Sequence, residues 1–497
     1  MSKTLKKIVA LGTLAVLMGT TFVGCAKESK PEVKQEVQTD DKKEDGKPGE
    51  VSEVEKPEQI KFLINIGVKI DDGAMEWKEE YERLTGIKLD YDGPTAGNDY
   101  YTNLDLSFSS KKSPDVFNIG DGKLPFYVAQ GAIADLTDLV KNSELLSKID
   151  PKIMDSVTVD GKIYGIPFEA GGGPITYVRQ DMIDGAGTVV PTNYDEFIEM
   201  LRAFKEKYPE KIPYTAPALY ENEAVLYLRE FYQDASPEFT LVNGKWVDGM
   251  GEENMKAALQ RLQDAYGEGL IDQEIITNTT ATCRDKWYAG EIGVFNYWAG
   301  TWAQNLEVRL QANVPEAKVL QLPSIAETSY LQRVPALTVI SSQSKNIEGV
   351  FKYFLEYMHD GGEGQVLFES GVEGLHWKQE GDQLIQLPKM SKADEVSEKA
   401  FISPFYRVTP LATDDKKIAY DPRVQSSIDI LEADGAQLVM TPLSKSYGKM
   451  SSDLIALKSA TIAEIVMGEV TVEAGLEKYK AEASDLGIDT VIAELNE

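Results

Sequence analysis

Short apolar segments recur along the chain, and each is bounded by glycine, proline or aspartate. The segments IKFLINIGV, SPDVFNIG and KIYGIPF occupy residues 60–68, 113–120 and 162–168. Apolar runs between such turn-forming residues predict buried β-strands. The first of these segments marks the start of the predicted folded body.

Longer segments between the predicted strands carry an apolar residue at every third or fourth position. They cover residues 192–209, 254–269 and 346–362. In the first, Phe197, Leu201 and Phe204 share one helical face, and Thr192 or Asn193 stands where a helix cap is expected. Alternating strands and helices predict an α/β body with largely parallel sheets.

The first 24 residues have the pattern of a secretion signal, with Lys3, Lys6 and Lys7 before an apolar run at residues 8–23. That run is shorter than the roughly 20 apolar residues that a membrane-spanning helix needs. The segment FVGC that ends at Cys25 resembles the lipobox of bacterial lipoproteins, in which a peptidase cuts before the cysteine. We therefore expect a signal peptide over residues 1–24 and a lipid such as palmitate on Cys25. A plain signal peptide with a chance cysteine is the alternative.

The segment that follows Cys25 is too polar to fold by itself. Residues 26–57 contain no aromatic residue, isoleucine, leucine or methionine, so they bury little apolar surface. We expect residues 25–57 to be the lipidated cysteine and a disordered tether that reaches about 30 Å.

The chain is strongly acidic, and loss of the three signal-peptide lysines takes its net charge from −30 to −33. Such a charge makes the chain a poor candidate for binding nucleic acid or anionic membrane surfaces. The remaining 473 of 497 residues are too many for one ordinary core and predict two lobes.

Sequence motifs for catalysis are few. His359 and His376 are the only histidines, and no phosphate loop, CxxC, HExxH or calcium-loop pattern occurs. We expect His359 to be a favourable charge at the end of a helix and Cys283 to be a buried apolar residue without a disulfide partner. Because 81 acidic residues are present, a carboxylate pair for glycoside hydrolysis stays open. The sequence favours a binding protein without catalytic residues, cofactor or metal.

A series of segments spread over most of the chain carries a family resemblance. They are SPDVF (113–117), GAIADLTDLV (131–140), DGKIYGIPFEAGGGPITYVRQDMID (160–184), PTNYDEFIEMLRAFK (191–205), GEGLIDQEI (267–275), AGEIGVFNYWAG (289–300), SSQSKNIEGVFKYF (341–354) and GVEGLHW (371–377). In content and order they resemble extracellular solute-binding proteins of family 1, in particular the sugar-binding lipoproteins of ATP-driven importers in Gram-positive bacteria. The resemblance implies a two-lobed, periplasmic-binding-protein-like α/β fold of type II, with the ligand cleft between the lobes.

The resemblance also implies how the chain divides between the lobes. Residues 58–168 and 326–385 are expected in the N-terminal lobe, and residues 169–325 and 386–497 in the C-terminal lobe. The three glycines between Glu169 and Pro174 suit a hinge, a close backbone approach to a ligand, or an ordinary loop.

The segment FNYWAGTW holds three candidate ligand-binding residues, Tyr297, Trp298 and Trp302. An indole ring stacks well on the C–H face of a pyranose. The spacing of four would place Trp298 and Trp302 on one face of a helix. Burial in the core is the alternative for these large aromatic residues.

Two further groups of candidates stand at loops and strand ends. The segment GVEGLHW offers Glu373, His376 and Trp377 to the hydroxyls and face of a sugar, or a tryptophan that only covers the core. Three residues follow predicted strands, at the sheet edge where α/β proteins bind ligands: Asp121, Phe168 and Glu169.

Some relatives that bind acidic polysaccharide fragments carry an inserted, aspartate-rich calcium loop. The corresponding stretch here is the short KEKYPEKIPYTAP at residues 205–217. We therefore expect no bound calcium.

The sequence predicts a monomeric receptor, anchored by its lipid alone on the extracellular face of the cell membrane. It would capture an oligosaccharide and deliver it to the permease subunits and ATPase of an ABC-type carbohydrate importer. Two other readings stay open: an extracellular lipoprotein glycoside hydrolase or lyase, and a receptor for a peptide or polyamine.

Overall fold

The computed structural model describes residues 54–64, 72–91, 97–120, 122–220, 227–390, 407–409, 411, 417–442 and 444–497. The chain divides into the units Met1–Glu53 and Val54–Glu497, and every described residue belongs to the second. The predicted signal peptide and Cys25 lie outside the described residues. The last residues of the predicted tether contact the body, since Asn346 Nδ2 donates to the Glu55 carbonyl at 2.9 Å.

The first elements of the body run from β1 to β4. They are β1 (Gln59–Leu63), α1 (Asp72–Thr85), β2 (Lys88–Tyr91), α2 (Gly97–Ser109), β3 (Val116–Ile119), α3 (Leu124–Ala129), α4 (Thr137–Lys141), α5 (Leu145–Lys148), α6 (Pro151–Ser156) and β4 (Gly165–Pro167).

The next elements run from β5 to β10. They are β5 (Pro174–Arg179), α7 (Gln180–Ala186), α8 (Tyr194–Lys207), β6 (Ile212–Thr215), α9 (Arg229–Tyr232), β7 (Phe239–Val242), β8 (Lys245–Asp248), α10 (Glu253–Gly267), α11 (Thr280–Tyr288), β9 (Ile292–Trp298), α12 (Thr301–Asn313) and β10 (Val319–Leu322).

The remaining elements complete both lobes. They are β11 (Tyr330–Gln332), β12 (Leu337–Ile340), α13 (Ile347–Val350) with a π-helical continuation (Phe351–Glu356), α14 (Glu363–Ser370), β13 (Trp377–Glu380), β14 (Gln383–Gln386), β15 (Lys417–Ile418), α15 (Pro422–Asp434), β16 (Gly435–Gln437), α16 (Tyr447–Val466), α17 (Val472–Leu486) and α18 (Ile488–Leu495).

One five-stranded sheet, the N-sheet, has the order β2-β1-β3-β12-β4. Strand β1 is parallel to β2 and β3, and β12 is antiparallel to β3 and β4. The apolar run of β1 buries Ile60 and Phe62 against Trp77 of α1 and Phe354 of the π-helical continuation. Burial of large side chains from segments that lie far apart in the sequence stabilises this lobe.

A four-stranded sheet, the C-sheet, has the order β10-β5-β9-β6. Strand β5 is antiparallel to β9 and β10, and only β6 pairs with β9 in parallel. The prediction of largely parallel sheets is therefore wrong for this lobe. All six residues of β5 are buried, with core clusters on both faces. A strand covered on both faces is a continuous apolar run whichever way its neighbours point, so the sequence carries no signal of direction.

Within the described residues, the chain passes between the two lobes at three places. The first crossing, residues 168–173, joins β4 to β5, and the second, residues 333–336, joins β11 to β12. The third, residues 419–421, joins β15 to α15, and its Asp421 accepts from Gln304 Nε2 of α12 at 3.1 Å. Three connections hold the N-terminal and C-terminal lobes side by side. The predicted residue limits of the lobes stay a prediction.

Two expectations about single residues have different outcomes. Cys283 is fully buried as predicted, and burial raises the pKa of its thiol to about 11. His359 is also buried, and burial lowers its pKa to about 3, so the imidazole is neutral. The predicted helix-end charge is wrong because the ring lies inside the lobe, 3.2 Å from Thr409 Oγ1. No helix in the described part of the chain is long and apolar enough to span a membrane.

Candidate ligand-binding site

The first crossing enters the C-sheet beside Trp298. Strand β5 begins at Pro174, and Pro174 pairs with Trp298, the last residue of β9. The indole therefore stands at the sheet edge that faces the crossings, and it is half-buried. Ligands of α/β proteins bind outside such strand ends.

Arg333 of the second crossing ties Trp298 to the first crossing. Its guanidinium carbon lies 5.1 Å from the centre of the Trp298 ring, and its Nη2 donates to Glu169 Oε1 at 2.5 Å. Its Nε also donates to the Gly171 carbonyl at 3.3 Å. Glu169 is buried, whereas 38% of the Arg333 side chain is exposed. We call Glu169, Trp298 and Arg333 the Trp298 cluster.

Two glycines of the first crossing are required by its close contact with β11 and with the second crossing. A Cβ on Gly173 would lie 2.0 Å from the Leu331 carbonyl oxygen, and one on Gly171 would lie 2.5 Å from the Arg333 carbonyl oxygen. Gly171 also has a φ of +98°, which favours glycine. The close backbone approach that the glycines allow is therefore to the main chain of β11 and of the second crossing. Phe168, half-buried beside them, packs on the N-terminal core.

Trp298 and Trp302 do not share a helix. Trp298 ends β9, Gly300 has a φ of +75°, and Trp302 lies in the first turn of α12. The expectation of one shared helical face is wrong because main-chain pairing with β5 extends the strand as far as Trp298.

Tyr297 and Trp302 form a separate aromatic contact on the other face of β9. Tyr297 is buried, and its ring meets Trp302 edge-on at 5.0 Å. Arg284 lies 5.1 Å from the centre of the Trp302 ring, and its Nη1 donates to the Tyr297 hydroxyl at 3.1 Å. Because successive strand residues point to opposite faces, Tyr297 and Trp298 belong to different surfaces of the sheet.

The segment GVEGLHW follows α14, and Val372 near its start packs on the N-terminal core. His376 has no exposed surface, and its Nδ1 accepts from the Val372 amide at 2.9 Å. Trp377 is 5% exposed, and its Nε1 donates to the Gly371 carbonyl at 2.9 Å. Glu373 is exposed. Contact of these residues with a ligand stays a prediction.

The Tyr101 side chain lies at the end of β3, although it is not among the predicted site residues. Asp121 lies outside the described residues. The Tyr101 hydroxyl accepts from the amide of Gly120, which follows β3, at 3.1 Å. Lys123 Nζ lies 5.4 Å from the centre of the Tyr101 ring. Arg333 is also absent from the predicted site. In the sequence, Arg333 is a single cationic residue that belongs to no recognisable motif, so nothing marks it as a site residue.

The metal-binding potential of the described residues is low. No group of three or more histidine, cysteine, aspartate or glutamate side chains converges there in a way that could hold a metal ion.

A sequence profile described as "Bacterial extracellular solute-binding protein" matches residues 68–358, more than half of the chain. The chain belongs to this family. Lipoprotein LipO of Bacillus subtilis strain 168 is 24% identical over 334 residues, which cover 63% of this chain and 66% of LipO. The fructooligosaccharide ABC transporter substrate-binding protein FusA of Streptococcus pneumoniae serotype 4 is 25% identical over 306 residues, which cover 55% and 56%. The chain thus spans less than two thirds of the length of these curated relatives.

Solved structures agree on the fold. The alginate-binding protein AlgQ2 without calcium ion has a TM-score of 0.65 at 20% identity, covering 89% of this chain and 98% of AlgQ2. FusA in complex with kestose also has a TM-score of 0.65, at 18% identity. The match covers 88% of this chain and 98% of FusA. The predicted type II, two-lobed α/β fold of solute-binding proteins is confirmed.

Proposed function

We propose that this chain is an extracellular receptor that captures an oligosaccharide between its two lobes and delivers it to an ABC-type carbohydrate importer. The observation that carries the proposal is the Trp298 cluster, a half-buried indole beside a carboxylate and a guanidinium where two crossings meet the C-sheet. FusA, a relative by sequence and by fold, is a fructooligosaccharide-binding protein. This relation supports a sugar as the ligand.

The chemistry of the cluster suits a sugar. The indole of Trp298 buries the C–H face of a pyranose, while Arg333 donates to its hydroxyls and Glu169 accepts from them. We propose that Phe168 completes this surface from the N-terminal side. Trp302, Asp121 and Glu373 are proposed as further contacts of a longer ligand.

Lobe closure is the proposed mechanism of capture and delivery. A ligand that contacts both lobes only in the closed form shifts the population toward that form. The closed form then presents both lobe surfaces to the permease subunits, and the ATPase drives import. This mechanism requires no covalent step, so we propose that the chain is not an enzyme.

We further propose that the receptor is a monomer held on the outer face of the cell membrane by a lipid on Cys25. The segment FVGC and the lipoprotein relative LipO support this anchor. A receptor that passes its cargo to a membrane permease gains from being held near it.

A thermal-shift screen of the unit Val54–Glu497 against neutral, acidic and amino oligosaccharides tests the proposed function. A sugar at 100 times its dissociation constant stabilises the folded state by about 2.7 kcal/mol, which is visible as a raised melting temperature. We expect a saturable shift, with the sugar recovered intact. A cleaved sugar would indicate a glycoside hydrolase or lyase. Shifts with peptides or polyamines alone would contradict the proposal.

A further inference from the structure

A buried polar layer lies directly beneath Trp298 in the C-sheet. Along the pair β5–β9, Pro174 faces Trp298 and Thr176 faces Asn296. Residues two apart on a strand share a face, so Thr176 and Asn296 form the next rung on the face that carries Trp298. Both are fully buried polar residues one rung below the ligand-binding edge.

Glu230 of α9 is the third member of this buried polar layer. The Thr176 hydroxyl donates to Glu230 Oε1, and Asn296 Nδ2 donates to Thr176 Oγ1 at 2.8 Å. One carboxyl group thus links α9 to β5 and, through Thr176, to β9. Glu230 is 1% exposed, so water does not compete for these bonds.

The Tyr214 hydroxyl is a hydrogen-bond neighbour of the Glu230 carboxyl group. The buried Asn296 Oδ1 has no hydrogen-bond partner within the described part of the chain. Buried polar groups are nearly always bonded, and each exception calls for an explanation. Such a layer responds to any change in the charge of its carboxyl group, because an unpaired buried charge is costly.

We propose that Glu230 is a positioning residue for the ligand-binding edge, and that its protonation state sets the position of Trp298. While neutral, Glu230 keeps α9 packed on the C-sheet and holds Thr176 and Asn296 in place. Ionisation draws the carboxylate toward water and loosens the rung that supports Trp298. This role rests on the ligand-binding site proposed above, but the coupling between Glu230 and Trp298 is a property of the protein without ligand.

The surroundings of Glu230 favour its neutral form. Its charged and titratable neighbours are Arg229 on the same short helix, Tyr214 on β6 and Tyr330 on β11. Arg229 donates to the Ala235 and Ser329 carbonyls at 3.3 Å. Desolvation by burial raises the pKa of Glu230 above its usual 4.5, and it outweighs the opposing effects of the Thr176 bond and the Arg229 charge.

The sign of the pH effect follows from this shift. At a pH above 4.5 the unfolded chain releases the Glu230 proton while the folded chain retains it, so folding becomes less favourable as pH rises. The free energy of unfolding falls until the pH reaches the pKa of Glu230 in the folded chain, and it then stays constant. The same ionisation in the folded chain should move Trp298.

Fluorine NMR of the full chain, labelled with 5-fluorotryptophan, tests the proposal without any ligand. The chain has six tryptophans, and the Trp298 signal is assigned by its loss in Trp298→Phe. We expect this signal to titrate with a midpoint above 4.5 in the parent chain and not to titrate in Glu230→Gln. A Trp298 signal that stays constant from about pH 5 to about pH 10 overturns the proposal.

Three further variants separate Glu230 from other carboxylates and from general unfolding. Thr176→Val removes a bond that lowers the pKa of Glu230, so it should move the midpoint to higher pH. Glu169→Gln, beside Trp298, should leave the titration in place. Glu369→Gln, in the N-terminal lobe, removes a carboxyl whose pKa burial raises to about 7, and it should also leave the titration in place. Titration that persists in Glu230→Gln, or disappears in Glu169→Gln or Glu369→Gln, contradicts the assignment.

These outcomes are independent of the ligand. If no sugar binds but the Trp298 signal titrates through Glu230, the proposed function fails and the positioning role stands. If a sugar binds and the signal does not titrate, the receptor function stands and the positioning role fails.

Discussion

Replacement of Trp298 by alanine is expected to weaken oligosaccharide binding about 30-fold, or roughly 2 kcal/mol. The indole is the flat apolar surface of the Trp298 cluster, and Arg333 loses its stacking partner when the ring is removed. The fold should survive, because β9 is held to β5 by main-chain pairing and the indole is half-buried. Isothermal titration with the sugar identified in the thermal-shift screen measures the loss.

Trp246→Ala is the matched control for this prediction. Trp246 is also half-buried, but it lies on β8 of the β7–β8 hairpin, outside the C-sheet. Its removal should leave the affinity unchanged. Equal affinities of Trp298→Ala and the parent chain would remove Trp298 from the binding site.

Gly173→Ala is expected to destabilise the fold by about 2 to 3 kcal/mol. The new Cβ would lie 2.0 Å from the Leu331 carbonyl oxygen, so the first crossing must move away from β11. The obstacle is main chain, which yields less readily than the end of a flexible side chain. Urea unfolding measures the change as a lower midpoint at an unchanged slope.

Gly267→Ala is the control for the glycine prediction. Gly267 is the last residue of α10, and a Cβ there would meet nothing within 4 Å. Alanine is a better helix former than glycine. The free energy of unfolding of this variant should therefore equal that of the parent chain or exceed it by up to about 1 kcal/mol. If Gly173→Ala were as stable as Gly267→Ala, the first crossing would not be in tight contact with β11.

Local elements of the fold follow from the sequence because their determinants are local. Helix α8 begins after Asn193, whose side chain accepts from the Glu196 amide at 3.0 Å, and it buries Phe197, Leu201 and Phe204 as the spacing predicts. Strand β3 is a buried apolar run at the predicted place. Cap residues and apolar periodicity act within a few residues, so one sequence suffices to identify them.

The candidate binding site depends on residue pairs that lie far apart in the chain. Glu169 and Arg333 are separated by 164 residues, and Thr176 and Glu230 by 54. No periodicity relates such residues, so the sequence points to Trp298 and Glu169 but not to Arg333 or Glu230. The sequence also did not predict that β5 pairs with β9 in the antiparallel direction. This direction places Pro174 and the first crossing beside Trp298.

Small-angle X-ray scattering of the unit Val54–Glu497 measures whether the two lobes close around an oligosaccharide. Scattering is recorded without ligand and with the identified sugar at saturation. We expect a smaller radius of gyration with the sugar, because closure brings the lobes together around the cleft. Identical scattering curves at saturating, intact sugar would contradict this closure.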